Sequence, residues 1–292
     1  MKPANPIGIM QGRLLPPPEG RLQAFPGSRW REEFPLAAQA GLDCIEWIDD
    51  VDDGEGQEAN PLASEGGVTE ILRLSRRWGV AVRSICADYF MTKRLIAADG
   101  SADLESAERL KWLLGRAAKL GVRYVILPFV DSSSLQSDGE CQTLAGLLAE
   151  LTPAIERSGV ELHLETDLPP DQLAALLSRV SHPLVRANYD IGNSASLGRD
   201  PALELGSIRP WLGSVHVKDR LGGGGTVGLG TGDADFPVCF RLIREAGFSG
   251  PFILQAARDD SISEVDLAAG NRRFVEQQLA SIGMPLRGAA WS

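Results

Sequence analysis

Four polar residues sit at or near the ends of short apolar runs in the second half of the chain. Glu165 ends VELHLE, Asp190 ends LVRANYD, His216 lies in GSVHVKD and Gln255 in PFILQAA. Two carboxylates, an imidazole and an amide oxygen make a mixed oxygen and nitrogen donor set. It suits Mn²⁺, Mg²⁺, Co²⁺ or Zn²⁺ rather than a soft-metal centre. Any one of these residues alone is more often a satisfied core or rim group. Four at successive run ends are explained most economically by one divalent metal. His163, two residues before Glu165, shares its strand face and reads equally as a substrate contact or as a partner that holds Glu165. Lys218, two residues beyond His216, is a candidate catalytic electrophile or base, against the plainer reading of an ion pair with a neighbouring carboxylate.

Such residues need strands to aim them. Runs rich in Val and Ile predict eight, at residues 6–11, 43–48, 80–87, 122–129, 160–165, 184–190, 213–219 and 251–257. Helical spacing fills the intervals, as in VTEILRLSRRWG and LESAERLKWLLGRAAKLG, and SEVDLAAGNRRFVEQQLASIG supplies a last helix. The unbroken strand-then-helix series predicts an α/β protein with one (β/α)8 barrel domain over residues 1–292, rather than a doubly wound sheet. Barrel active sites lie at the C-terminal strand ends, which is where the four residues fall. Glu46 and Asp88, with Gln11 and Arg13, end strands one to three and are candidates to line the pocket. Arg220 and Arg258 follow strands seven and eight, where barrels often bind phosphate. The glycine-rich stretch within residues 220–234 reads as an active-site loop and mobile lid; it lacks the Lys-Ser/Thr of a P-loop.

Composition narrows the partners. Among 292 residues, 29 Lys and Arg against 39 Asp and Glu give a net charge of −10, which disfavours nucleic acid but leaves room for a small anionic substrate in a local basic cleft. The four cysteines have no CxxC spacing and read as reduced packing residues in a cytoplasmic protein. Neither a signal peptide nor an apolar run of about 20 residues is evident, so no membrane partner is expected. A homodimer is the default oligomer.

The segments HLETD, NYDIGNSASLG, GSVHVKDR, TVGLGTGDADF and FILQAAR, with IGIMQGRL and IEW earlier in the chain, carry a resemblance. The chain resembles the sugar phosphate isomerase/epimerase family of the xylose isomerase-like barrel superfamily. The resemblance implies a metal held by Glu165, Asp190, His216 and position 255, where the family usually has Glu and this chain has Gln. It also implies acid/base work by two glutamates, and Gln255 cannot take a proton from carbon. Asn193 stands where the family often has a substrate-touching His; it can hydrogen-bond a sugar hydroxyl. With only His163, His182 and His216, the trinuclear centre of the related endonucleases cannot be assembled. The expectation is a metal-dependent sugar or sugar phosphate isomerase/epimerase with Glu165 as ligand and acid/base group. Lys218 would assist it, and His163, Asn193, Glu46, Asp88, Arg220 and Arg258 would surround the substrate. A dehydratase or lyase, and a barrel that binds sugar without turnover, are the alternatives.

Overall fold

The β-branched and aliphatic runs form strands β1 (Ile7–Met10), β2 (Cys44–Ile48), β3 (Ala81–Cys86), β4 (Tyr124–Phe129), β5 (Glu161–Thr166), β6 (Val185–Asp190), β7 (Leu212–Val217) and β8 (Phe252–Leu254). This computed structural model describes residues 5–17, 23–51 and 60–283. The strands are parallel, each pairs with its sequence neighbour, and β8 closes onto β1. The observed fold is therefore the expected (β/α)8 barrel. The outer ring is α1 (Glu33–Gln39), α2 (Glu65–Trp78), α3 (Leu104–Leu120), α4 (Asp138–Ser158), α5 (Pro170–Val180), α6 (Pro201–Ile208), α7 (Phe236–Glu245) and α8 (Glu264–Ser281). Local chemistry bounds these helices. In α3, Asp103 caps the Ser106 N–H, and Gly121 closes the other end at φ +75, the left-handed conformation that favours glycine.

Side-chain alternation splits the barrel wall. Leu164, Val215 and Val217 are buried on the face toward the helices, while Glu165, His216 and their alternates point inward. Two register shifts decide what the inward residues meet. Between Ala187 and Asn188 the β6 pairing steps by one residue, so Asp190 pairs with His216; without the step it would oppose Val215. Between Ile45 and Glu46 a similar step in β2 sets Glu46 opposite Ser84 rather than Arg83. Because the side-chain period is two, each one-residue step exchanges an outward neighbour for an inward one. Strand eight is regular only over Phe252–Leu254, so Gln255 lies one residue past it, its N–H donating to Val217 O at 3.0 Å.

The loops above the barrel are tied by buried carboxylates. Asp219 accepts N–H bonds from Gly230, Gly232 and Ala234, and a Cβ at Gly232 would come 2.3 Å from its Oδ1. The far end of the glycine-rich stretch is thus tied to the end of β7, because the glycines let the backbone close around a carboxylate. Residues Thr226–Val227 of that loop also form a short ribbon with Asp219–Arg220. The four cysteines are free and buried. No helix among the described residues is long and apolar enough to cross a membrane.

At the β1 loop, the Gly12 N–H donates to Glu33 Oε1 at 2.6 Å. Burial raises the Glu33 pKa from its ordinary 4.5 to about 8, although Gly12 favours the ionised form. The neutral form of Glu33 is therefore favoured near pH 7. Between these two pKa values the native chain keeps a proton that the unfolded chain has released, so this contribution to stability falls as pH rises through the window. Relative to wild type, Glu33→Gln is expected to gain up to about 1.4 kcal/mol per pH unit from about pH 5 to about pH 8 in urea unfolding. A difference independent of pH would contradict the buried neutral carboxyl.

Candidate metal centre and cavity

Glu165, Asp190 and His216 converge at the ends of β5, β6 and β7. Each offers one ligand atom, and these atoms lie within 4.8 Å of one another; all three residues are buried. His216 Nδ1 is 3.5 Å from Glu165 Oε2 and 3.7 Å from Asp190 Oδ2. The other ring nitrogen, Nε2, lies 2.7 Å from Glu46 Oε1, and Ser84 Oγ donates to Glu46 Oε2 at 2.7 Å. A carboxylate only accepts, so Nε2 carries a proton and Nδ1 is the nitrogen left to serve as a ligand. Asn188 Nδ2 is 3.2 Å from both Glu165 Oε2 and His216 Nδ1.

Burial acts to lower the His216 pKa, but Glu46 and Glu165 outweigh it and push it up to about 10, so a cation binding at Nδ1 would displace a proton from it. Burial raises Glu165 to about 7, with Asp190 adding to the rise and His216 opposing it. For Asp190, burial works upward but Lys218 and His216 prevail and hold the carboxyl below its usual range. Lys218 Nζ stands 2.9 Å from Asp190 Oδ2 as an ion pair, without the alignment of a hydrogen bond. At the cluster and the residues around it, Gln255 Oε1 has no hydrogen-bond donor and Asp190 Oδ2 has only the Lys218 ion pair. Unsatisfied buried acceptors beside a carboxylate–imidazole cluster fit a divalent cation.

A cavity of about 550 Å³ opens over the cluster, lined on its polar side by Glu165, Asn193, Lys218, Arg220, Asp88 and Gln255. Asn193 joins two of these groups: its Nδ2 donates to Glu165 Oε1 at 3.0 Å, and its Oδ1 accepts from Arg220 at 3.1 Å. A second cavity of about 510 Å³, lined by Arg123, Arg186 and Arg209, includes Leu212 and Gly213 from the opposite end of β7 and is remote from these groups.

Other expected pocket residues are placed elsewhere. Glu46 is wholly buried in the barrel interior, where it orients His216 instead of facing the cavity. His163 has both ring nitrogens engaged, Nδ1 with Ser214 at 2.8 Å and Nε2 with Glu161 at 2.9 Å, and stacks on Tyr124; it touches neither cavity nor Glu165. Arg258 donates to Gly12 O and Leu15 O, clamping the β1 loop. Gln11 holds the end of β2 through the Ile48 N–H. The cation that does reach the cavity from this side is Arg13, which also donates to Ala256 O at 2.9 Å. Sequence reasoning missed Asn188 and Gln23. Asn188 was within reach, since it lies two residues before Asp190 on the same strand face. Gln23 sits in a loop with no periodic signal. Glu46→Gln, which removes the carboxylate that holds His216, is expected to weaken Mn²⁺ binding about tenfold in calorimetric titration. Undiminished affinity would mean that Glu46 does not set the ring.

Comparison with known proteins agrees with this architecture. The xylose isomerase-like TIM barrel family matches residues 34–278. Over 272 residues the chain is 26% identical to L-ribulose-5-phosphate 3-epimerase UlaE of Salmonella paratyphi A, an alignment that covers 88% of this chain and 93% of the relative. Among solved structures, an L-ribulose 3-epimerase superposes with a TM-score of 0.74 at 18% identity, covering 95% of each chain. A xylose isomerase-like barrel protein of Mycobacterium smegmatis in complex with magnesium gives 0.69 at 19% identity, covering 95% of this chain and 97% of the other. At these identities the superpositions establish the fold. Fold, strand order and the family match agree, and the chain belongs to the xylose isomerase-like TIM barrel family.

Proposed function

We propose that this chain is a divalent-metal-dependent isomerase or epimerase that takes a proton from carbon next to the carbonyl of a small sugar or sugar phosphate. The observation that carries this reading is the placement of Glu165. It belongs to the buried Glu165–Asp190–His216 cluster and is also the member of that cluster that lines the cavity. The residues suited to hold the ion are Glu165, Asp190, His216 and Gln255. A divalent cation bound there supplies Lewis acidity that makes a neighbouring C–H bond more acidic.

The chain's own groups do the rest. Glu165 receives the proton, with Asn188 and Asn193 donating to its two oxygens and fixing the carboxylate plane. Lys218, an ammonium at the cavity wall paired with Asp190, donates a hydrogen bond to the oxygen on which charge develops. Arg13 and Arg220 give the cavity a cationic rim within an acidic protein, which suits a phosphate or other anionic substituent. A single carboxylate suffices when the proton returns to the neighbouring carbon on the same face. Inversion of one carbon needs a donor on the opposite face, and Gln255 supplies none. That difference favours an aldose–ketose shift over stereoinversion. The relatives named as ribulose 5-phosphate and ribulose 3-epimerases put ketopentoses and their phosphates first among substrates to test.

The expected result in D₂O is deuterium incorporation into such a ketose or its phosphate with no net loss of water. Glu165→Gln should lower the exchange rate by about 10³-fold. Loss of water from the substrate would move the assignment to a lyase. Binding without exchange or conversion would make the barrel a sugar-binding protein.

A further inference from the structure

Gln255 raises a question that a glutamate in its place would not. The two ends of an amide differ, and only its oxygen can face a cation. The structure contains a device that makes this choice. We propose that Gln23, in the loop between β1 and α1, is a positioning residue that holds the Gln255 amide with its oxygen turned away from the loop and available as a metal ligand. This inference rests on the metal-dependent reading above.

The chain of hydrogen bonds has one direction. Gln23 Nε2 donates to Asp88 Oδ2 at 2.7 Å, so the amide nitrogen of Gln23 is committed to the carboxylate. Its oxygen therefore faces the other way, where Arg13 Nη2 approaches at 3.4 Å and Gln255 Nε2 donates at 3.2 Å. A guanidinium has no acceptor, so reversing Gln23 would set donor against donor at Arg13 and acceptor against acceptor at the Asp88 oxygen. With Gln23 fixed, reversing Gln255 would bring two amide oxygens together. The observed orientation leaves Gln255 Oε1 as a buried acceptor without a protein donor. Gln255 follows Leu254, which pairs with Val217 next to His216, and lines the same cavity as Glu165. Asp88 and Arg13 thus act on the ligand set through Gln23, and none of the three needs to touch the cation. A carboxylate at position 255 offers an oxygen in either orientation, so its ligating ability would not depend on Gln23.

The test is a double-mutant cycle in the full-length protein, read by electron paramagnetic resonance of free Mn²⁺ during titration. Gln23→Leu is expected to weaken Mn²⁺ binding about tenfold in the native background. In the Gln255→Glu background the same substitution should change it less than about twofold, since either carboxylate oxygen can serve. Gln23→Ala provides the same comparison if Gln23→Leu does not fold. Equal weakening in both backgrounds, or none in the native one, overturns the positioning role while leaving the metal site standing. A wild-type protein that binds no Mn²⁺, or an Asp190→Asn variant that binds it undiminished, overturns the metal reading itself and the inference with it.

Discussion

Everything at the candidate site depends on keeping charged and polar groups inside a barrel without stranding them. Glu46 and His216 have no solvent exposure, and Glu165 and Asp190 have almost none. Such groups are tolerated in a low-dielectric interior only when each is paired and hydrogen-bonded. The 2.7 Å contact between His216 Nε2 and Glu46 Oε1 meets that requirement at the centre. Ser84 satisfies the second oxygen of Glu46, and Asn188 bridges His216 to Glu165. The network continues downward through Ser214, which donates to Asn188 Oδ1, to His163 and Glu161. His163 is thus connected to Glu165 through a serine and an asparagine, and touches neither the cavity nor the carboxylate.

The backbone cooperates with this network through irregularity. A perfectly regular β6–β7 ladder would set Asp190 beside an outward valine, and a regular β2–β3 ladder would set Glu46 beside Arg83. The two one-residue shifts bring carboxylate to imidazole and carboxylate to hydroxyl instead. Bulges cost local pairing, and the extra residues, Gly213 in β7 and Arg83 in β3, face the strands that supply Asp190 and Glu46, where polar contacts account for them. The loops above obey the same logic. The Asp219 carboxylate holds the glycine-rich stretch, and the Glu33 carboxyl and the Arg258 guanidinium hold the β1 loop.

How much of this was legible in the chain follows from the range of each interaction. Periodicity announced eight strands and their helices because alternation and 3.6-residue spacing are local properties. The same alternation placed Glu165, Asp190, His216 and Gln255 near strand ends, and applied once more to β6 it would also have found Asn188. It did not distinguish Glu46, which faces His216 across the barrel, from a pocket residue, because both positions lie on inward faces of strands. Arg258 was misjudged for a related reason. Position after a strand says where a side chain starts, and the free carbonyls of the β1 loop decided where it ends.

The sequence alone determined the donor chemistry, the strand-then-helix order and the absence of a second carboxylate at position 255, since these are set by residue type and spacing. Only the tertiary structure decided which inward groups meet, which loops are anchored and which end of the Gln255 amide is bonded to Gln23. Glu46 and His216 are 170 residues apart, and Gln23 and Gln255 are 232 apart. No local pattern encodes such pairings. They arise when barrel closure brings β8 against β1 and the register of each ladder fixes which side chains share the interior.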